Sequence, residues 1–175
     1  MRILFLLLLT TPFLANGQER LNPVIKSYGG IFDIPYATVK PDSSLEYNIV
    51  IEVMTPEESS SAVNTALDNV ARLMNLHAVG GVPLEKMHVV VAVHKEAVFT
   101  LMNNESYRKR FKVDNPNLLL LEELQQAGIK IVVCGQSLLK RNIDHQKLAP
   151  GIEVATSMLT TVTMYQLKGY AMLKF

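Results

Sequence analysis

Runs of apolar residues alternate with segments of helical periodicity along most of the chain. Five short runs rich in Val and Ile are predicted to be strands, at residues 47–54, 87–94, 129–134, 152–155 and 170–175. Between them apolar residues recur at helical spacing, most clearly over 63–77, 117–127 and 157–168. Buried strands separated by helices are typical of a parallel sheet covered on two sides. We therefore predict an α/β fold: a single doubly wound domain with a mostly parallel five-stranded sheet and helices on both faces.

The first helix has a clear candidate start directly after the first strand. Thr55 is a suitable N-cap, Pro56 suits the first helical position, and Glu58 is placed to close a capping box. The pattern therefore predicts that Thr55 caps this helix and that its first residue is Pro56.

The N-terminal residues are typical of a cleavable signal peptide. Arg2 provides a short positive region, residues 3–9 are uninterrupted apolar residues, and Ala15 and Gly17 are the small residues that a signal peptidase reads. The apolar stretch is shorter than the roughly 20 residues of a membrane span. We predict a signal peptide over residues 1–17, with cleavage after Gly17 or alternatively after Ala15. The protein is then periplasmic or secreted, with no membrane span.

The mature chain is predicted to have two parts. Residues 18–45 lack strong periodicity but contain several aromatic and β-branched residues, which is unusual for a disordered linker. We interpret them as an extended arm that packs on the domain or on a neighbouring subunit. Residues 46–175 form the α/β domain itself.

Charge and motifs exclude several classes of function. The net charge is +1 at pH 7, and the only basic run is Arg108-Lys109-Arg110, so the sequence gives no indication of nucleic-acid binding. The four histidines show no metal-ligand spacing with the cysteine or with a carboxylate. Neither a glycine-rich phosphate loop nor a Gly-x-Ser-x-Gly elbow is present. We therefore predict no metal and no cofactor.

Cys134 is the single cysteine and the main candidate for chemistry. It ends a predicted buried strand and directly precedes a short predicted helix. The N–H groups and dipole of a helix N-terminus favour a thiolate over a thiol. A lone cysteine in an exported protein has no partner within its own chain, so it bonds another molecule, reacts, or is buried and inert. Free cysteine is often a small buried hydrophobe, and both interpretations stay open.

Other polar residues follow the predicted strands at the same edge of the sheet. The carboxyl ends of parallel strands converge, and open α/β proteins place their sites there. The candidate substrate-binding residues at these ends are Thr55, His94, Gly135, Gln136 and Ser137. A histidine beside Cys134 would either activate the thiolate or hydrogen-bond a ligand, although a histidine at a strand end is more often a simple polar terminus.

The segment 124–143, which contains Val132-Val133-Cys134-Gly135-Gln136-Ser137-Leu138, resembles the DsrE/DsrF-like family, which includes sulfur-relay proteins. The likeness extends over about residues 46–175. It implies a DsrE-like fold that assembles into trimers or hexamers. It also implies that Cys134 carries sulfur as a persulfide, received from and passed to a donor or acceptor protein.

The export signal and the arm set this chain apart from the cytoplasmic relay proteins. The arm residues Pro23-Val24-Ile25 and Tyr28-Gly29-Gly30-Ile31 resemble an exported subgroup of the same family. The resemblance therefore implies a sulfur carrier, or at most a sulfurtransferase, that acts outside the cytoplasm. The alternative is a non-enzymatic oligomeric module for binding or assembly, in which Cys134 is buried and structural.

Overall fold

Five strands form one fully parallel sheet in the computed structural model, which describes residues 18–175. They are β1 (Tyr47–Val53), β2 (Met87–Val93), β3 (Lys130–Cys134), β4 (Glu153–Ala155) and β5 (Ala171–Lys174). Their order across the sheet is β4-β3-β2-β1-β5, so β4 and β5 are the edge strands. The predicted α/β fold with a five-stranded sheet is confirmed. The predicted signal peptide, residues 1–17, lies outside the described residues.

Helices cover both faces of the sheet, but unequally. They are α1 (Thr65–Val79), α2 (Asn104–Phe111), α3 (Leu118–Gln126), α4 (Gly135–Lys140) and α5 (Met158–Leu167). The larger core joins one face of the sheet to α1, α3 and the turns after β2. On the other face, a small cluster joins the strands to Val162 of α5. No helix within residues 18–175 has the length and apolar character needed to cross a membrane.

The predicted start of the first helix is wrong. Helix α1 begins at Thr65, nine residues after the predicted first position, and its N-cap is Asn64, whose side chain accepts a bond from the Leu67 N–H at 3.1 Å. The same buried side chain donates to the Thr55 carbonyl at 2.9 Å. Its backbone N–H donates to Asn117 Oδ1 at 2.8 Å. Asn64 caps α1 because the fold satisfies all of these groups at once, whereas Thr55 stays in the loop.

The arm, residues 18–45, lies against α1, where Asn75 makes five hydrogen bonds to its backbone and Asp68 accepts another from the Gly29 N–H at 2.8 Å. Asn75 Oδ1 accepts from the N–H groups of Val24 and Ile25, both at 3.0 Å. Its Nδ2 donates to the carbonyls of Ile25, Tyr28 and Gly29 at 3.1–3.2 Å. The Ile25 side chain is fully buried and belongs to the larger core. The arm therefore completes the core on the face opposite α5.

Candidate functional site

Cys134 lies at the carboxyl end of β3, and Gly135, the next residue, begins α4. Side chains alternate between the two faces of a strand. Val133 belongs to the larger core, so Cys134 projects toward the face that α5 covers. The cysteine is 6% exposed, which places its sulfur just beneath the surface at the carboxyl edge of the sheet.

Two helix N-termini supply hydrogen-bond donors to the sulfur of Cys134. Burial raises the pKa of this thiol, but hydrogen bonds from the Ser137 hydroxyl and from the backbone N–H groups of Met158, Ser137 and Gln136 outweigh it and hold the pKa below its usual value. Gln136 and Ser137 belong to the first turn of α4, and Met158 is the first residue of α5. The site therefore favours a negatively charged sulfur.

The Ser137 hydroxyl is oriented by a second bond. Its Oγ accepts a hydrogen bond from the Lys95 N–H at 3.0 Å, and the side chain is buried. Lys95 follows β2 with a left-handed φ of 51°. Because the hydroxyl accepts from Lys95, its own proton is free to point at the sulfur. The turn after β2 thus fixes a donor to the cysteine on β3.

Gly135 is needed for packing at the turn between β3 and α4. A Cβ atom at this position would lie 2.8 Å from the carbonyl oxygen of Ala155 on β4, closer than real Cβ atoms approach. That neighbour is backbone, so it has little freedom to move away. The glycine lets α4 start directly after Cys134 while β4 stays in register.

A buried histidine follows β2, the strand beside that of Cys134, and pairs with a buried carboxylate on β1. His94 Nε2 is 2.7 Å from Glu52 Oε1, and both residues are only 6% exposed. The second oxygen of Glu52 is 3.5 Å from Lys174 Nζ on the edge strand β5. Burial lowers the pKa of His94 most strongly. The charges of Lys95 and Lys174 lower this pKa further. The hydrogen bond and charge of Glu52 raise it, but the pKa stays below its usual value.

The structure brings most of the candidate site residues together. Gly135, Gln136 and Ser137 form the turn beside Cys134, and His94 follows the neighbouring strand. Thr55 lies at the same edge of the sheet, where its carbonyl accepts from Asn64, and no described contact joins it to the cysteine.

Two contributors to the site were missed by sequence reasoning. One is Met158, whose contribution is a backbone N–H and so has no sequence signal. The other is Glu52, whose only signal is a charged residue within the apolar run of β1.

An open cleft adjoins the cysteine on the side of the edge strand β4. It has a volume of about 450 Å³, and its lining includes Gly135, Gln136, Leu139, Val154 and Thr156. The cleft gives a partner molecule a route to the turn that holds Cys134. Within residues 18–175, no three His, Cys, Asp or Glu side chains are grouped closely enough to bind a metal ion.

Comparison with protein families identifies the class. The model of the DsrE/DsrF-like family matches residues 48–175, which is most of the chain. The chain therefore belongs to the DsrE/DsrF-like family, and the resemblance seen around Cys134 is confirmed. Membership supports a sulfur-relay type of role in general.

Two solved structures share the fold. One is the protein of unknown function MTH1491 from Methanobacterium thermoautotrophicum, with a TM-score of 0.57 and 22% identity over 74% of this chain and 99% of that one. The other is the ychN protein from E. coli, with a TM-score of 0.55 and 19% identity over the same shares of the two chains. At these identities the likeness shows the fold alone. No curated protein matches the chain.

Proposed function

We propose that this protein carries sulfane sulfur as a persulfide on Cys134 and relays it between a donor and an acceptor thiol. The observation that supports this most directly is the set of donors around the sulfur. Two helix N-termini and the Ser137 hydroxyl converge on one buried atom and lower its pKa. A thiolate is the nucleophile in sulfur transfer, and a persulfide anion needs the same kind of donors.

Loading requires no outside oxidant when the donor is itself a persulfide, R–S–SH. The Cys134 thiolate attacks the outer sulfur of the donor, and a new S–S bond forms. The S–S bond of the donor breaks, and its electron pair leaves with R–S⁻. The protein then holds Cys134–S–SH, and Gln136, Ser137 and Met158 remain as donors to the sulfur that was the nucleophile. The signal peptide predicted over residues 1–17 places this carrier outside the cytoplasm as part of the same proposal.

The direct test is intact-protein mass spectrometry of the reduced mature protein after incubation with inorganic polysulfide. We expect a gain of one sulfur atom that dithiothreitol reverses, because the thiolate displaces a shorter polysulfide. The matched control is Cys134→Ser, which replaces the thiol by a hydroxyl of similar size and should gain nothing. A wild-type protein that gains no sulfur, and whose cysteine resists alkylation until the protein is unfolded, would contradict the proposal and favour the binding module.

We also propose that the chain forms a homo-oligomer, a trimer or hexamer, as is usual in this family. Exposed apolar residues support this. Leu167 on α5 is 89% exposed and Leu159 is 68% exposed, and the edge strands add Val154 and Met172. Because α5 is the only helix that packs on this face within residues 18–175, much of the face lacks a second layer. A second copy of the chain would supply that layer.

Replacement of Leu167 by aspartate should convert the oligomer to a monomer. The change places a charge in the proposed interface, where an unpaired carboxylate would lose its hydration. Sedimentation velocity at micromolar concentration measures the effect. Val39→Asp is the control, because Val39 is equally exposed but lies in the arm on the opposite face. A monomeric wild-type protein, or equal dissociation of the two variants, would count against the proposed interface.

A further inference from the structure

A glutamate, a histidine and the cysteine lie near the carboxyl ends of the three neighbouring strands β1, β2 and β3. Val93 and Val133 are paired in the β2–β3 register, so His94 and Cys134 come next on adjacent strands. Glu52 pairs with Ala92 on β2 and with Lys174 on β5. All three side chains belong to the α5 face, since Ile51, Val93 and Val133 project into the opposite core.

The position of Glu52 is unfavourable for stability alone. On the same face, the sheet contributes apolar side chains at Val50, Val90 and Val132. A buried carboxylate loses its hydration, and a buried ion pair is often no more stable than an apolar pair of similar volume. Glu52 nevertheless stays buried, with contacts to His94 and Lys174. Buried titratable pairs at the functional edge of a sheet are candidates for proton chemistry.

The hydrogen bond to Glu52 determines which nitrogen of His94 is free. A carboxylate accepts, so Nε2 carries the proton and Nδ1 keeps a lone pair in the neutral ring. Among residues 18–175, Nδ1 makes no hydrogen bond that competes for this lone pair. The lowered pKa keeps the ring neutral near pH 7. The other charged groups that act on the ring are Lys95 and Lys174, and Cys134 follows on the neighbouring strand.

We propose that Glu52 and His94 form a dyad that accepts the proton of the incoming acceptor thiol during sulfur release from Cys134. This inference rests on the proposed carrier function. His94 is the base, and Glu52 is a positioning residue that fixes the tautomer and stabilises the imidazolium. The dyad serves acceptors that arrive as protonated thiols and is dispensable for acceptors that are already thiolates.

The release step balances without an added oxidant or reductant. The acceptor R′–SH gives its proton to His94 Nδ1 while its sulfur bonds to the outer sulfur of Cys134–S–SH. The S–S bond to Cys134 breaks, and the electron pair leaves as the Cys134 thiolate, which Ser137 and the two helix N-termini stabilise. The products are R′–S–SH, the thiolate and an imidazolium paired with Glu52. The imidazolium then returns its proton to solvent.

The test compares two acceptors on the same loaded protein. Glutathione is mostly a protonated thiol near pH 7, whereas 2-nitro-5-thiobenzoate is already ionised. With His94→Gln, we expect sulfur release to glutathione at pH 7 to slow by about 100-fold, the lower end of the usual contribution of general base catalysis. Release to 2-nitro-5-thiobenzoate should change by less than about twofold, because no proton needs removal. The glutathione defect should shrink as rising pH ionises that thiol.

The chain offers a matched control and a second variant. His88 lies at the other end of β2 and bonds Glu46 at 3.0 Å in an exposed position, so His88→Gln should leave both rates unchanged. Glu52→Gln removes the charge but keeps the size, and should slow the glutathione reaction selectively even if His94→Gln does not fold.

The possible outcomes separate the dyad from the carrier function. Equal rates in all variants, or equal losses for both acceptors, would overturn the dyad while leaving the carrier function intact. Failure of the wild-type protein to load sulfur would overturn the carrier function and the dyad with it. A defect confined to glutathione would support both.

Discussion

Replacement of Ser137 by alanine should raise the pKa of the Cys134 thiol by about one to two units, since a hydrogen bond to a charged group contributes about 1.5–3 kcal/mol. The Ser137 hydroxyl is the side-chain donor to this sulfur, and the Lys95 N–H holds it in place. Without it, the three backbone N–H groups remain, so the pKa rises only part of the way. The variant thus measures how much of the thiolate stabilisation comes from a side chain.

The pH profile of thiol–disulfide exchange with a small neutral reagent gives the measurement. Because the folded-state pKa is lowered, the wild-type thiolate persists at pH values where an ordinary thiol is protonated. The midpoint of the profile should move upward in Ser137→Ala. At a pH below both midpoints the rate should fall by about three- to tenfold, because part of the lost thiolate fraction is offset by higher intrinsic nucleophilicity. At high pH the variant should react at least as fast as the wild type.

We expect the pH–rate profiles of the wild type and of Ser137→Ala to cross. Such a crossing distinguishes a change in the pKa of Cys134 from a change in its access to the reagent. A variant that is slower at every pH would mean that the substitution closes or distorts the site. An unmoved midpoint would contradict the role of the hydroxyl. Ser43→Ala is the control, since Ser43 is exposed in the arm and far from the cysteine in the fold.

The lowered pKa of Cys134 also makes the stability of the native protein depend on pH. A thiol whose folded-state pKa is lowered stabilises the native protein above its unfolded value, about pH 8.5, and this contribution disappears as the pH falls through the folded-state pKa. For His94 the pKa is also lowered, so its contribution is present above about pH 6.5 and is lost at more acidic pH. Both groups therefore favour the native state at neutral to mildly alkaline pH.

The sequence predicted the framework of the site because the framework is local. Cys134 directly follows an apolar run and precedes a helix, so its place at the carboxyl edge of the sheet depends on a few consecutive residues. The convergence of His94 with Cys134 follows from the rule that parallel strands end at one edge. Neither inference needs the order of the strands in detail.

The parts that the sequence did not reveal depend on register and long-range packing. Glu52 faces His94 only because β1 and β2 pair with a particular alignment across 42 residues of chain. The Met158 N–H reaches the sulfur because the connection from β4 places the start of α5 over the end of β3. The start of α1 at Thr65 depends on Asn117, which is 53 residues from its partner Asn64. A capping pattern read at Thr55 contains none of this information.

Replacement of Asn75 by alanine should lower the free energy of unfolding by about 3–5 kcal/mol. The change leaves the N–H groups of Val24 and Ile25 and the carbonyl of Gly29 without a partner, and each buried polar group left unpaired costs about 1–3 kcal/mol. The carbonyls of Ile25 and Tyr28 still accept from Asn22. The sum of these costs exceeds the expected loss, because the arm can detach from α1 and its polar groups can then bond to water. The loss is then limited by the burial of Ile25 and Ile31, each worth about 1.5–3 kcal/mol.

Urea unfolding measures this loss, and native trypsin digestion at Lys26 shows whether the arm detaches. Asn69→Ala is the matched control, because Asn69 lies on the same helix and makes no hydrogen bond to the arm within residues 18–175. Equal losses in the two variants would contradict the role of Asn75. The arm packs on the face opposite α5, so Asn75→Ala should leave the pH midpoint of Cys134 where it is in the wild type. A shifted midpoint would mean that the arm also supports the sulfur site through α1 and the sheet.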